Sequence, residues 1–210
     1  MLKPTDIYRS SRRPPRWEGW VATSCGGGFF IFDPKIEEVI VGDIAHGLSR
    51  KFRYGGQVGD ITVAEHSLLT SQIIQRLWPK SGQMMAGLLH DASVAYTHDI
   101  QTPIRRFVRV TLPSGETLDW AGLEKKINDV VGKAFGLPPY FYSQPEVKAA
   151  DILALCLEKA RCPAICDRNW GLPAIPEEVK DMAVEFMPPD RAKEAFLARF
   201  NDLWAMGGGK

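Results

Sequence analysis

Two His-Asp pairs, His90-Asp91 and His98-Asp99, follow the apolar run that starts at Gly87-Leu88-Leu89. Imidazole nitrogen combined with carboxylate oxygen suits Mn, Fe, Co or Zn better than it suits a thiolate-seeking metal. On a helix, neighbours are about 100° apart, so His90 and Asp91 reach one ion only from the edge of a face. Asp91 and Asp99 are spaced to lie on roughly one side. A single His-Asp pair is more often a surface or capping pair than a metal site, so the partners decide. His66 stands in Val63-Ala64-Glu65-His66-Ser67, ahead of an apolar-periodic segment, and Asp151 stands in the middle of another, Val147-Lys148-Ala149-Ala150-Asp151-Ile152-Leu153. A carboxylate in such an Ala/Leu/Ile-rich helix is costly to bury without compensation. A metal ion would compensate it, which makes His66, His90, Asp91 and Asp151 the candidate ligand set.

The elements that must carry these residues are mostly helical. After Val41 the apolar spacing has the helical period. Asp43 is expected to cap a helix holding Ile44, Ala45, Leu48 and Phe52, ended by Gly55-Gly56. Val63 to Trp78 is an amphipathic helix stopped by Pro79, and Gln83 to Ala95 is the expected central helix. Thr102-Pro103 opens a helical turn with Arg105. Thr111 to Thr117 is a Pro/Gly-containing loop or hairpin. Asp119 to Phe135, Pro145 to Ala160 and Asp190 to Trp204 are further helices, and Pro176-Glu177-Glu178 opens another. Near the N-terminus, Gly26-Gly27-Gly28-Phe29-Phe30-Ile31-Phe32 reads as a strand, with Glu37 to Ile40 as a second. The expectation is an all-α domain with a small N-terminal β-hairpin. Residues 1–24, rich in Arg, Pro and Trp, are expected to form an arm, and 25–206 the folded domain.

The whole composition narrows the classes. At 210 residues with a formal charge of +1, the chain is one domain with a substantial core and no bulk attraction to nucleic acid or an anionic surface. No apolar stretch spans a bilayer, and the first residues lack a signal-peptide core, so a cytoplasmic location is expected. The glycines near residue 27 do not form a dinucleotide or P-loop fingerprint. Cys25, Cys156, Cys162 and Cys166 contain no CxxC pair and read as reduced thiols.

The ordered set His66, His90-Asp91, Asp151 resembles the HD-domain metal-dependent phosphohydrolases, most of all bacterial 5'-deoxynucleotidases and phage deoxynucleotide triphosphohydrolases acting on dATP. The matching text is Asp43-Ile44-Ala45-His46-Gly47-Leu48-Ser49-Arg50, Phe52-Arg53-Tyr54-Gly55-Gly56, Val63-Ala64-Glu65-His66-Ser67, Leu88-Leu89-His90-Asp91-Ala92-Ser93, Asp99-Ile100-Gln101-Thr102-Pro103 and Lys148-Ala149-Ala150-Asp151. The resemblance implies an HD-type helical bundle with one divalent ion (Mn, Co, Fe, Mg or Zn) on the four ligands. It also implies Asp99 as the acid that orients or deprotonates the attacking water, and a homodimer or larger ring. Arg50 or Arg53 would grip the phosphates, Arg105 would stand near them, and Tyr54 would stack on sugar or base; Lys148, one helical turn before Asp151, faces either the same pocket or water. In phages, such enzymes remove dATP so that a modified adenine can replace it. The implied reaction is cleavage of a dNTP to deoxynucleoside and triphosphate, with the 5'-monophosphatase reaction as the alternative.

Two departures bear on the chemistry. Relatives read His-Asp-Ala-Ser-Glu, whereas Val94 stands at the Glu position and can neither accept a proton nor hold water. Where the closest subgroup carries a His after Gly-Gly, this chain has Gln57. Asp99, His98 or Glu65 would have to substitute for the missing Glu, or the protein would be a metal-dependent nucleotide binder with weak catalysis.

Overall fold

The computed structural model describes residues 19–162, 165, 166 and 168–207. Most of the expected arm, residues 1–18, therefore lies outside the described residues. Among those described, two short hairpins accompany seven α-helices: β1 (Trp20–Ala22), β2 (Gly28–Phe30), α1 (Val41–Ser49), α2 (Val63–Leu77), α3 (Met84–Leu89), α4 (Thr102–Arg105), β3 (Arg109–Thr111), β4 (Thr117–Asp119), α5 (Trp120–Ala134), α6 (Pro145–Arg161) and α7 (Pro189–Ala205). No helix among them is long and apolar enough to cross a membrane.

The helical pattern holds with local corrections. Thr62 caps α2 by accepting from the Glu65 amide at 3.1 Å, and Asp119 caps α5 by accepting from Gly122 N at 2.8 Å, as short polar side chains do at helix starts. The Asp43 side chain does not cap α1. It lies inside the first turn, and its Oδ1 accepts from Ser24 Oγ and the Cys25 amide, both at 2.7 Å. That carboxylate ties the first hairpin to the bundle. The strand paired with β2 is β1, on the segment expected to be an arm, with Val21 opposite Phe29. Ile36–Glu38, expected to begin a strand near Glu37, is a 3₁₀ turn. The polar loop after Val110 is indeed a hairpin, with Thr111 opposite Thr117.

The expected central helix is broken. α3 ends at Leu89, and the chain resumes as a 3₁₀ turn over Ala92–Ala95. His90 Nδ1 donates to Gly87 O at 2.8 Å, the carbonyl that the Asp91 amide would take in a continuing helix. A side chain competing for a backbone acceptor ends the ladder there. The 3₁₀ turn packs on α1, where Gly47 makes room: a Cβ at Gly47 would lie 2.6 Å from Ala95 O. Asn128 on α5 accepts from the Ser93 amide at 3.2 Å, closing the other side.

The core is continuous. Ile44, Leu48, Ile73, Leu88, Ile127, Leu157 and Phe196 are fully or almost fully buried and join α1, α2, α3, α5, α6 and α7. α2 runs against α6, so His66 on one faces Asp151 on the other.

Candidate metal centre

His66 is fully buried on the second turn of α2. Its Nδ1 lies 2.7 Å from Glu158 Oε1, and its Nε2 lies 3.1 Å from Asp151 Oδ1. Asp151 and Glu158 are both on α6, two turns apart, which puts them on one face. His90 reaches the same place from the end of α3. With Nδ1 committed to Gly87 O, its Nε2 is buried without a hydrogen-bond partner among the described residues, 3.8 Å from Asp151 Oδ1 and 3.5 Å from Asp91 Oδ2. The ligand atoms of His66, His90 and Asp151 lie within 4.8 Å of one another. Asp91 stands at the edge of this group, half-buried, on the break after α3.

These groups fit a divalent cation. Each ring donates Nδ1–H to an oxygen, His66 to a carboxylate and His90 to a carbonyl. This orientation turns both Nε2 atoms inward and is the usual outer support of a ligating histidine. An orphaned, buried Nε2 in a polar group is otherwise an uncompensated cost. Without an ion, burial and the Arg53 charge lower the His66 pKa, but Glu158 and the bonds to both carboxylates outweigh them and raise it to about 9. Asp151 is held well below the usual carboxylate range: the His66 bond and the charges of His90, His66 and Lys148 overcome its burial. The side chains thus already sit in a charge pattern that a cation could replace.

Glu158 was not among the expected residues, although its place two turns after Asp151 was a usable signal. It is fully buried and binds three side chains: His66, Arg53 Nε at 2.9 Å and Tyr54 Oη at 2.6 Å. Burial would raise its pKa, but Arg53 and His66 draw it down to about 2. Arg53 and Tyr54 come from the 3₁₀ turn Arg53–Gly56, where Tyr54 and Gly55 take left-handed backbone with φ of 57° and 64°. That conformation costs a bulky residue on the order of 1–3 kcal/mol. Gln101 offsets part of it by donating Nε2 to Tyr54 O at 3.0 Å. A Cβ at Gly55 would lie 2.6 Å from that amide nitrogen, so a side chain there would displace Gln101 and would also have to adopt the left-handed backbone.

Asp99 belongs to the same neighbourhood. It is half-buried, and burial raises its pKa; Arg53 opposes the rise, the charge of Asp91 adds to it, and His66 and Arg105 oppose it. Lys148 Nζ is 3.8 Å from Asp151 Oδ2 at the exposed rim. Arg105 donates to Glu124 on α5. Glu124 also accepts from Trp120 Nε1 at 3.0 Å. Its pKa rises to about 7 through burial: the Arg105 charge opposes the rise, Asp91 adds to it, and the Trp120 and Arg105 bonds oppose it. This second acid near Asp91 was also missed. Its signal was an acid one residue past Leu123, on the buried face of α5.

Other expected residues are placed elsewhere. Arg50 donates to Asp190 at 2.6 Å and to Ser49 Oγ at 3.0 Å, and lines a separate cavity. Gln57 is exposed, and its backbone amide donates to Tyr54 O. Glu65 accepts from the amides of Glu185, Phe186 and Met187 at 2.6, 2.8 and 3.0 Å, a structural clasp that leaves it no part in proton transfer. His98 lines the separate cavity with Arg50. Val94 is 4% exposed and part of the apolar core, facing away from water.

Fold and site together define a helical protein with a candidate cation centre of two histidines and one or two aspartates. No family profile matches the chain. It is 32% identical over 195 residues to an uncharacterized protein of Rhodobacter capsulatus, covering 88% of this chain and 95% of that one. It is 31% identical over 189 residues to the uncharacterized protein YfdR of Escherichia coli, again covering 88% and 95%. The chain belongs to the family of these two proteins.

Proposed function

We propose that this protein is an HD-domain, divalent-metal-dependent phosphohydrolase of deoxynucleotides, cutting a dNTP of the dATP type to deoxynucleoside and triphosphate. The observation that carries the reading is His90 Nε2, buried with no hydrogen-bond partner among the described residues, beside His66 Nε2 and Asp151 Oδ1. His66, His90, Asp91 and Asp151 would hold the ion. A divalent cation bound there supplies Lewis-acid stabilisation of phosphoryl oxygens and acidifies water at neutral pH.

The chain's own residues have these roles. Glu158 fixes the His66 ring and holds Arg53 by its Nε. The guanidinium terminus of Arg53 is then oriented to bind a phosphate, for which its planar fork is suited. Asp99, with its pKa raised by burial, takes the proton of the attacking water. Lys148 and Arg105 add positive charge at the rim. The Tyr54 ring, with Trp170 at 6.1 Å between centroids, offers an aromatic wall for the nucleoside. Four free cysteines accord with a reducing, cytoplasmic setting. Ile104 and Phe107, 56% and 69% exposed, support self-association, which light scattering after gel filtration tests.

The deciding experiment is product analysis by ion-exchange chromatography with Mn, Co or Mg added, offering dATP, dGTP, dAMP and ATP, with Asp91→Asn as control. Deoxyadenosine plus intact triphosphate, lost in the control, is the expected result. Phosphate from dAMP alone would make the protein a 5'-deoxynucleotidase. Metal binding with no turnover would sink the hydrolase reading for these substrates. The burial of Val94 in the core favours that last reading, a nucleotide binder with weak catalysis, as the second choice.

A further inference from the structure

A cavity of about 390 Å³ lies apart from the metal centre, walled by the first hairpin, α1, Lys51 and residues 95–98. It falls within the size range of small-molecule sites. None of His66, His90, Asp91, Asp99 or Asp151 lines it. Four of its side chains, His46, Arg50, Lys51 and His98, are basic, and Asp43 is its one acid among the described residues. One oxygen of Asp43 already accepts from Ser24 and Cys25.

Lys51 is the group that asks for a ligand. It is half-buried, and its Nζ donates to Ala95 O at 2.6 Å. Among the described residues no carboxylate forms an ion pair with it within 4.0 Å. Burial holds its pKa down to about 8, so the ammonium is still mostly charged at neutral pH. A desolvated cation with one carbonyl partner and two spare donors gains most from an anion. Arg50, with its guanidinium shared between Ser49 and Asp190, adds a fixed charge at the mouth.

We propose that this cavity is a second ligand site, taking a phosphate-bearing anion on Lys51, with Arg50, His46 and His98 around it. The shared chemistry is a tetrahedral oxyanion; inorganic phosphate and the phosphate of a nucleotide both present it. The wall that Lys51 holds, residues 95–98, runs directly into Asp99, so occupation would bear on the loop that carries that acid. The binding itself does not depend on the hydrolase reading.

The test is isothermal titration calorimetry of the full, metal-free chain at neutral pH and low ionic strength, with inorganic phosphate and with dAMP as separate probes. The expected result is one anion per chain. Lys51→Met, which loses a charge-assisted bond, and His46→Glu, which sets a carboxylate against the anion, should each weaken it by roughly tenfold or more. Asp151→Asn should leave it in place. Tighter binding of dAMP than of phosphate would identify a nucleotide site, and equal binding a bare-anion site. If Lys51→Met does not fold, as judged by circular dichroism, His46→Glu decides alone. Absence of binding with both probes at millimolar concentration overturns the proposal. So does binding that survives in the cavity variants, or that is lost with Asp151→Asn.

Discussion

His66 on α2 and Glu158 on α6, separated by 92 residues in the chain, meet at 2.7 Å where neither is exposed to solvent. That contact sets the tautomer of His66, aims its Nε2 at Asp151 and anchors Arg53 from the opposite side. Removing the charge while keeping the shape isolates its role. Glu158→Gln is expected to reduce Mn or Co affinity by about 10- to 100-fold, the usual effect of losing the carboxylate behind a ligating histidine. Calorimetry on the metal-free protein measures it; unchanged affinity would mean that the Glu158 charge does not support a ligating His66.

The same pair predicts a pH dependence of metal binding. With its pKa raised to about 9, His66 holds a proton on the nitrogen that would face the ion. A metal must displace that proton, so affinity rises as pH climbs toward 9 and falls in acid. Titrations in buffers of different ionisation enthalpy should show proton release on binding at neutral pH. In Glu158→Gln the onset of binding moves to lower pH relative to its plateau.

Asp99→Asn should leave the fold and metal affinity intact and lower hydrolysis by about 10²- to 10⁴-fold, the range for losing a general base. Turnover of dATP, followed with the melting curve of the same sample, separates this from unfolding. Activity near that of the wild type would transfer the base role to another acid, with Glu124, which Asp91 influences electrostatically, as a candidate.

Restoring the acid that relatives carry should fail. Val94 is sealed in the core, so Val94→Glu would bury a carboxylate without a partner and destabilise the protein by at least about 2 kcal/mol. Urea denaturation gives the number. A variant as stable as the parent and faster in turnover would show that the 3₁₀ turn rotates to bring position 94 into the site.

Glu124 offers a separate stability signature. Its folded pKa of about 7 exceeds the ordinary value of about 4.3. The folded form therefore binds more protons than the unfolded chain in between. The stability it contributes is complete below the unfolded pKa and is lost as pH rises through about 7. Glu124→Gln should flatten the decline in melting temperature of the metal-free protein between these limits.

Much of this molecule was legible in one dimension. Period-3.6 apolar spacing, with Pro79 as a stop, located α2 and α5 almost to the residue, because helix formation depends on local contacts and local hydrogen bonds. His66, His90 and Asp151 stood out because a polar ligand in an apolar run is costly unless something compensates it. Other features depended on contacts between distant segments. The break at His90-Asp91 came from a side chain competing for Gly87 O, which periodicity does not register. The pairing of β2 with β1 was set by a carboxylate on α1 that grips the intervening turn. The resemblance left Arg50 and Arg53 as alternatives for one role, yet Asp190 takes one and Glu158 the other. Sequence alone determined which side chains had the chemistry for a metal centre, since residue type and helical spacing are local properties. Tertiary packing alone decided that Glu158 stands behind His66, that Val94 is closed into the core, and that Lys51 faces a cavity with no carboxylate in ion-pair reach among the described residues, because burial and long-range partners exist only once the helices have met.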